Sequence, residues 1–235
     1  HVLFRRQRQM CIRDRSTFGA LPFALSQETN LSFIDALFES ISGLTTTGAT
    51  VFTNLEDLPK SILYYRQQLQ WLGGIGIVVI AVSILPMIGV GGMQIYKAET
   101  PGPIKDTKLT PRIAETANAL FKIYVFLTVV CAIAYWVAGM SWFDALSHSF
   151  STISIGGFST YDESLGHFDN NAVLTIASIF MVVSGLNFAL HYTAWHARSI
   201  KSYISDPEAR LFVLVILFGI LVTTYFLYTT ASMPN

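Results

Sequence analysis

Residues Ser32 to Thr50, SFIDALFESISGLTTTGAT, return at Ser141 to Ser159 as SWFDALSHSFSTISIGGFS, aligned without a gap at an offset of 109 residues. Ser32/Ser141, Asp35/Asp144, Ala36/Ala145, Leu37/Leu146, Ser40/Ser149, Ser42/Ser151 and Gly48/Gly157 are identical, and Thr45/Ser154 and Thr50/Ser159 keep a hydroxyl. Self-similarity at a fixed spacing is the mark of a fold built from repeated units. Hydroxyl- and glycine-rich segments used twice, each between hydrophobic runs, predict a duplicated pore loop.

The hydrophobic runs are roughly Ile62–Val90, Thr116–Val137, Val173–Trp195 and Leu211–Thr230. Each approaches or exceeds the roughly 20 residues that cross a bilayer as a helix. Only 13% of the residues are charged, against about 25% in a soluble domain. The expected fold is an all-α, polytopic membrane protein. Net charge is zero, so nothing suggests a nucleic-acid partner. Cys11 and Cys131 lie far apart and suggest neither a disulfide framework nor a metal site. Gly73, Gly74 and Gly76 permit close helix packing or local unwinding. Tyr64, Tyr65, Trp71, Trp136, Trp142, Tyr192 and Trp195 fall near the expected span ends, where interfacial aromatics collect.

Ser32 followed by Asp35, and Ser141 followed by Asp144, are helix-capping patterns. A helix of about 12 residues is roughly 18 Å long, half a bilayer. After each comes a segment that resists helix, Thr45-Thr46-Thr47-Gly48-Ala49-Thr50 and Ser154-Ile155-Gly156-Gly157-Phe158-Ser159. Their β-branched and glycine residues favour extended backbone. Such backbone is tolerated at membrane depth only where it is buried in protein or lines a watery path. Ion filters replace an ion's hydration shell with backbone carbonyls, and Gly48 and Gly157 are where a missing Cβ matters most. The C-terminal ends of both short helices would favour a cation. A re-entrant structural turn is the rival reading.

Loop charges set the orientation. The connector 91–118 carries Lys97, Lys105, Lys108 and Arg112, and 196–210 carries Arg198, Lys201 and Arg210. The stretch from Glu28 to Arg66 carries only Lys60 and Arg66, and 139–171 has no Lys or Arg. The positive-inside rule makes the basic connectors cytoplasmic and brings both loops in from outside. Glu28, Asp35, Glu39, Glu56, Asp57, Asp144, Asp162, Glu163 and Asp169 would then form an acidic entrance that concentrates cations, or be solvated loop acids. The expected segments are 16–90, ending a first span and holding the first loop and a second span, the connector 91–118, a second full unit 119–195, the connector 196–210, and a further span in 211–235. Residues 1–15 fit no unit. The peptide around MCIRDR resembles translated sequencing-adapter sequence, with a basic cytoplasmic arm as the alternative. We read the whole as roughly half of a longer protein.

FESISGLTTTGAT, KAETPGPIKDTKLTPRIAETA, STISIGGFST, SGLNFALHY and SDPEARLF together resemble the Trk/Ktr/HKT-type family of potassium-uptake proteins, nearest the bacterial TrkH-type membrane subunit. The resemblance runs from about Ser16 to Asn235. It implies four repeats of span, pore helix, filter loop and span, potassium-channel-like, of which this chain holds filters one and two. The implied filter is Thr46-Thr47-Gly48-Ala49 and Ile155-Gly156-Gly157-Phe158, flanked by Thr45 and Ser154. One matched glycine per loop implies a shorter and less selective filter than TVGYG. The resemblance also implies potassium as substrate, no cofactor in this chain, a multi-pass place in the bacterial inner membrane, homodimers, and a cytoplasmic nucleotide-binding ring of TrkA or KtrA type. A symporter coupling potassium to sodium or protons and a non-conducting assembly subunit are the alternatives. A membrane enzyme would need an acid–base or metal cluster within the spans, and none is evident.

Other residues carry less. His191 and His196 are five apart, about 140° around a helix, which is poor geometry for a shared metal. His148 matches Glu39 of the first repeat and is expected to pair with a polar neighbour. Asn187, within an apolar run, is expected to bond a partner helix and brace the filter from behind. Lys122 is expected to snorkel. Gly89-Val90-Gly91-Gly92 leads into no βαβ unit and is weak evidence for phosphate binding.

Overall fold

The computed structural model describes residues 2–88, 109–199 and 201–231. Lys97, Lys105, Lys108 and the Gly89–Gly92 run lie outside the described residues, as does the side chain of His196. Among the described residues every regular element is helical. The chain divides into two units, His1–Gly185 and Leu186–Asn235.

The first unit runs α1 (Val2–Leu25), α2 (Phe33–Leu44), a 3-10 turn (Leu55–Asp57), α3 (Lys60–Ile88), α4 (Leu109–Val137), α5 (Trp142–Ser154), a second 3-10 turn (Ser164–Phe168) and α6 (Asn171–Gly185). The two short helices, α2 and α5, are 12 and 13 residues long. Each starts on the expected serine. Ser32 Oγ accepts the Asp35 N–H at 3.2 Å, and Ser141 Oγ accepts the Asp144 N–H at 3.2 Å. Both hydroxyls in turn donate to the carboxylate of the same aspartate, at 2.7 and 2.6 Å. A side-chain oxygen at this position satisfies an amide that would otherwise lack a partner.

Helix α3 lies against both short helices, while α2 also packs on α1 and α5 on α4. Glycines allow the approach without unwinding α3. A Cβ on Gly73 would run into the Leu44 carbonyl at the end of α2, and one on Gly74 would lie 3.0 Å from Ser154 Cβ at the end of α5. Ala20, Phe23, Ala36, Phe52, Leu55, Ile62, Leu63 and Leu69 form the apolar cluster around the first repeat. Beside the second, Tyr135 of α4 shares a 2.7 Å hydrogen bond with Thr152 of α5. Trp71, expected near a span end, packs within the first unit. Its ring stacks on Phe150 at 5.2 Å, and its Nε1 donates to Thr128 at 3.0 Å. Trp136 and Trp142 are exposed edge to face at 6.1 Å, as a membrane-interface pair would be.

Ala117–Val137 is long and apolar enough to cross a membrane. In the second unit, α7 (Phe188–Ala197), α8 (Lys201–Ser205) and α9 (Pro207–Ala231) follow, and Pro207–Thr230 passes the same test. The single span expected over Val173–Trp195 is interrupted after Gly185. Asn187 is not mid-helix. It is the N-cap of α7, at φ −57 and ψ 120, and its Oδ1 accepts the Ala189 N–H at 3.0 Å. Glycine weakens helix propagation and asparagine competes for nearby backbone donors, so the break is local chemistry. The Asn187 amide also donates to Glu208 at 3.4 Å. His191 shares a 2.8 Å hydrogen bond with the Tyr203 hydroxyl.

Candidate functional site

Both short helices end in the same backbone turn. After α2, the Thr47 N–H donates to the Ser42 carbonyl at 2.9 Å and the Thr46 N–H to Gly43 at 3.0 Å. After α5, the Gly156 N–H donates to Ser151 at 2.8 Å and the Ile155 N–H to Thr152 at 3.2 Å. This is the six-to-one and five-to-two pattern of a Schellman cap, whose pivot residue is left-handed and usually glycine. Here the pivots are Thr46 at φ 54 and Ile155 at φ 52. Both are β-branched, so the conformation is costly and survives only where the surroundings impose it. Two residues later Gly48 and Gly157 are left-handed too, at φ 78 and φ 83. All four positions obey the offset of 109 residues.

The fold brings the two loops side by side. A Cβ on Gly48 would strike the Gly156 carbonyl oxygen, and one on Gly157 would lie 4.0 Å from Gly48 Cα. Of the first loop's residues, Thr45, Thr47 and Ala49 are exposed and Thr46 and Gly48 half-buried. The Thr45 hydroxyl is committed to the helix end, donating to the Ile41 carbonyl at 2.7 Å, with Thr47 Oγ1 2.8 Å away. In the second loop Ile155 and Gly157 are exposed, Gly156 and Phe158 buried, and Ser154 donates to the Ser151 carbonyl at 3.3 Å. The extended segment expected from Thr45 and from Ser154 therefore begins later, beyond the left-handed pivot. Phe158 can offer only backbone to the loop's open face, since its ring is under the Arg66 guanidinium at 4.4 Å.

Behind the loops is a polar layer that the sequence reading assigned elsewhere. Glu39, expected among the entrance acids, is fully buried and receives Arg66 Nε at 2.7 Å. Its carboxylate also accepts the Thr50 hydroxyl at 3.0 Å and the Val51 N–H at 3.1 Å. Arg66, counted as a loop cation, is a fully buried residue of α3. Besides Glu39 it donates to Thr50 Oγ1 at 3.0 Å and to the Ser159 carbonyl at 3.2 Å. One turn further along α3, Gln70 donates through Nε2 to the Gly156 carbonyl at 2.7 Å and accepts the Phe158 N–H on Oε1 at 3.1 Å.

His148 stands at the Glu39 position of the second repeat. As expected it pairs with polar neighbours. Its Nδ1 lies 3.0 Å from the Asp144 carbonyl, and its Nε2 3.1 Å from Ser159 Oγ. An imidazole donating to a carbonyl through Nδ1 leaves Nε2 free to accept the serine hydroxyl. Asp144 is buried as well, against the entrance reading. Its carboxylate takes Ser141 at 2.6 Å, Thr160 at 3.0 Å and the Tyr161 hydroxyl at 3.3 Å. Burial, and then the neighbouring Asp144 charge, push the Tyr161 hydroxyl up from its ordinary value, so it remains a donor. Asp162 accepts the Leu55 N–H at 3.2 Å and joins the two post-loop segments.

One signal could have found this layer. Arg66 and Gln70 are polar residues four apart in a run long enough to span, and a charge within a span is a functional-site candidate by default.

The TrkH family model, described as a cation transport protein, matches residues 10–233. The Trk system potassium uptake protein TrkH of Halomonas elongata is 58% identical over 215 residues, covering 92% of this chain and 45% of that protein. The protein of the same description from Escherichia coli K12 is 55% identical over 220 residues, covering 92% and 46%. Among solved structures, the crystal structure of the potassium transporter TrkH from Vibrio parahaemolyticus matches with a TM-score of 0.83 at 47% identity, over 96% of this chain and 45% of that one. The chain spans about half the length of the curated relatives it matches.

Proposed function

Because the chain belongs to the TrkH family of cation transport proteins, we propose that it forms part of a channel-like pathway carrying potassium down its electrochemical gradient across the bacterial inner membrane. The filter we assign is Thr45, Thr46, Thr47, Gly48 and Ala49 with Ser154, Ile155, Gly156, Gly157 and Phe158. It acts through backbone rather than charge. Carbonyl dipoles can replace hydration water without holding a fixed countercharge, so the ion also leaves. The observation that carries the reading is the matched left-handed backbone of Thr46/Gly48 and Ile155/Gly157 on two adjacent loops. Soft turns would not need β-branched residues forced into this conformation twice.

The units we assign follow the repeat: 16–90 and 119–195 each present a loop from outside, and 91–118 and 196–210 face the cytoplasm. The acids left exposed near the loops, Glu56, Asp57, Asp162, Glu163 and Asp169, supply a cation-attracting field. The two basic connectors are placed to meet a cytoplasmic nucleotide-binding ring, and the working assembly is a homodimer. The protein transports and performs no enzymatic step.

The test is potassium and sodium influx in cells that lack their own potassium uptake and express the complete gene. Growth at low potassium with influx that saturates for potassium and is weaker for sodium supports the reading. Membrane-inserted protein without flux, alone and with a nucleotide-sensing partner, contradicts it. Potassium entry in fixed ratio to sodium or protons would make it a symporter.

A further inference from the structure

The second loop is held from behind by a helix of the first repeat. Gln70 bonds the peptides on both sides of Gly157, donating to the Gly156 carbonyl and accepting from the Phe158 N–H at 2.7 and 3.1 Å. This is the two-point bond that a neighbouring strand would make, supplied by one side chain. The orientation of the amide is fixed by its partners, since the flipped form would set oxygen against oxygen. Arg66, one turn away on the same face of α3, adds a third point two residues on, at the Ser159 carbonyl. Among the described residues no side chain makes the equivalent pair of bonds to Thr47 and Ala49 of the first loop.

The consequence is directional. In a trans peptide the carbonyl and the following N–H point opposite ways. With the Phe158 N–H drawn back to Gln70, the Gly157 carbonyl is aimed away from α3, toward the open side of the loop. The Gly156 carbonyl is instead drawn to Gln70. Gly157 alone, at φ 83, could turn either way.

We infer that Gln70 and Arg66 are positioning residues for ion selection, which α3 of the first repeat uses to set the Gly157 carbonyl of the second. The inference rests on the potassium-pathway reading above. Gln70→Glu keeps an acceptor for the Phe158 N–H but removes the donor to Gly156 and sets a carboxylate against its carbonyl. Potassium-over-sodium influx through the complete protein should fall about fivefold, the discrimination lost with roughly one net hydrogen bond, with membrane abundance within about twofold of wild type. Arg66→Lys keeps the charge opposite Glu39 but loses the guanidinium fork, and should give a smaller fall. An unchanged ratio in a membrane-inserted Gln70→Glu protein overturns the inference. Should that variant not accumulate, Gln70→Met, of similar volume and without either bond, is read the same way. Should wild type itself carry no potassium, the transport reading fails. The positioning itself is then decided by a structure of the Gln70 variant: a turned Gly157 carbonyl supports it and an unmoved one contradicts it.

Discussion

Glu39 and His148 occupy equivalent places in the two repeats and hold the same hydroxyl, Thr50 in one and Ser159 in the other, by different chemistry. In both, that hydroxyl accepts the backbone N–H two residues on, from Phe52 at 3.1 Å and from Tyr161 at 3.0 Å. The first repeat adds a buried ion pair with Arg66, while the second manages with an imidazole. Breaking a buried pair from one side strands the other charge and costs about 3–5 kcal/mol. Losing one net hydrogen bond costs about 1 kcal/mol. Glu39→Gln is therefore expected to lower thermal stability in detergent several times more than His148→Gln, as read by melting of the purified protein.

The two loop glycines are not equally sensitive. Gly48→Ala meets both an unfavourable φ and the Gly156 carbonyl, so it disturbs the second loop as well as its own. Gly157→Ala meets the φ cost alone, its Cβ lying 4.0 Å from Gly48 Cα. That cost is about 1–2 kcal/mol. Potassium-over-sodium influx should fall in both variants and further in Gly48→Ala. Gly157→Ser should behave as Gly157→Ala does and still insert.

Thr46 and Ile155 store strain that glycine would release. Ile155→Gly, at a half-exposed side chain with φ 52, should gain about 1 kcal/mol in stability. It should also lose potassium preference, because a freer pivot no longer fixes the loop beyond it. A melting temperature that rises while selectivity falls is the expected signature. Stability that falls would mean the pivot carries no strain.

The caps are predicted to matter in proportion to their burial. Ser32→Ala and Ser141→Ala should each cost about 1 kcal/mol. Ser141 should cost more, since its partner Asp144 is buried and also serves Thr160 and Tyr161. Hydrogen exchange of the amides at residues 35 and 144 would report each cap directly.

The repeat, the two short helices and their caps were legible in the sequence because they are local: a serine, an aspartate three residues on, and an apolar face. The adjacency of Gly48 and Gly157 was not, since it depends on how α3 wedges between α2 and α5. The left-handed pivots were hidden for another reason. Threonine and isoleucine are poor candidates for that conformation, and tertiary contacts overrode the preference. Arg66 was misread by place. Counted with the loop cations, it is instead the centre of the buried layer, and Glu39 and Asp144 left the acidic entrance with it. The break at Asn187 was missed because hydropathy runs through it unchanged, while capping chemistry does not.

The most direct test of the two-loop filter is competitive potassium and sodium influx in cells without other potassium uptake, comparing wild type with Gly48→Ala and Gly157→Ala at matched membrane abundance. Potassium preference that is high in wild type and reduced by each substitution is the predicted result. Preference that survives both substitutions in normally inserted protein would contradict the filter and leave the paired loops as structural turns.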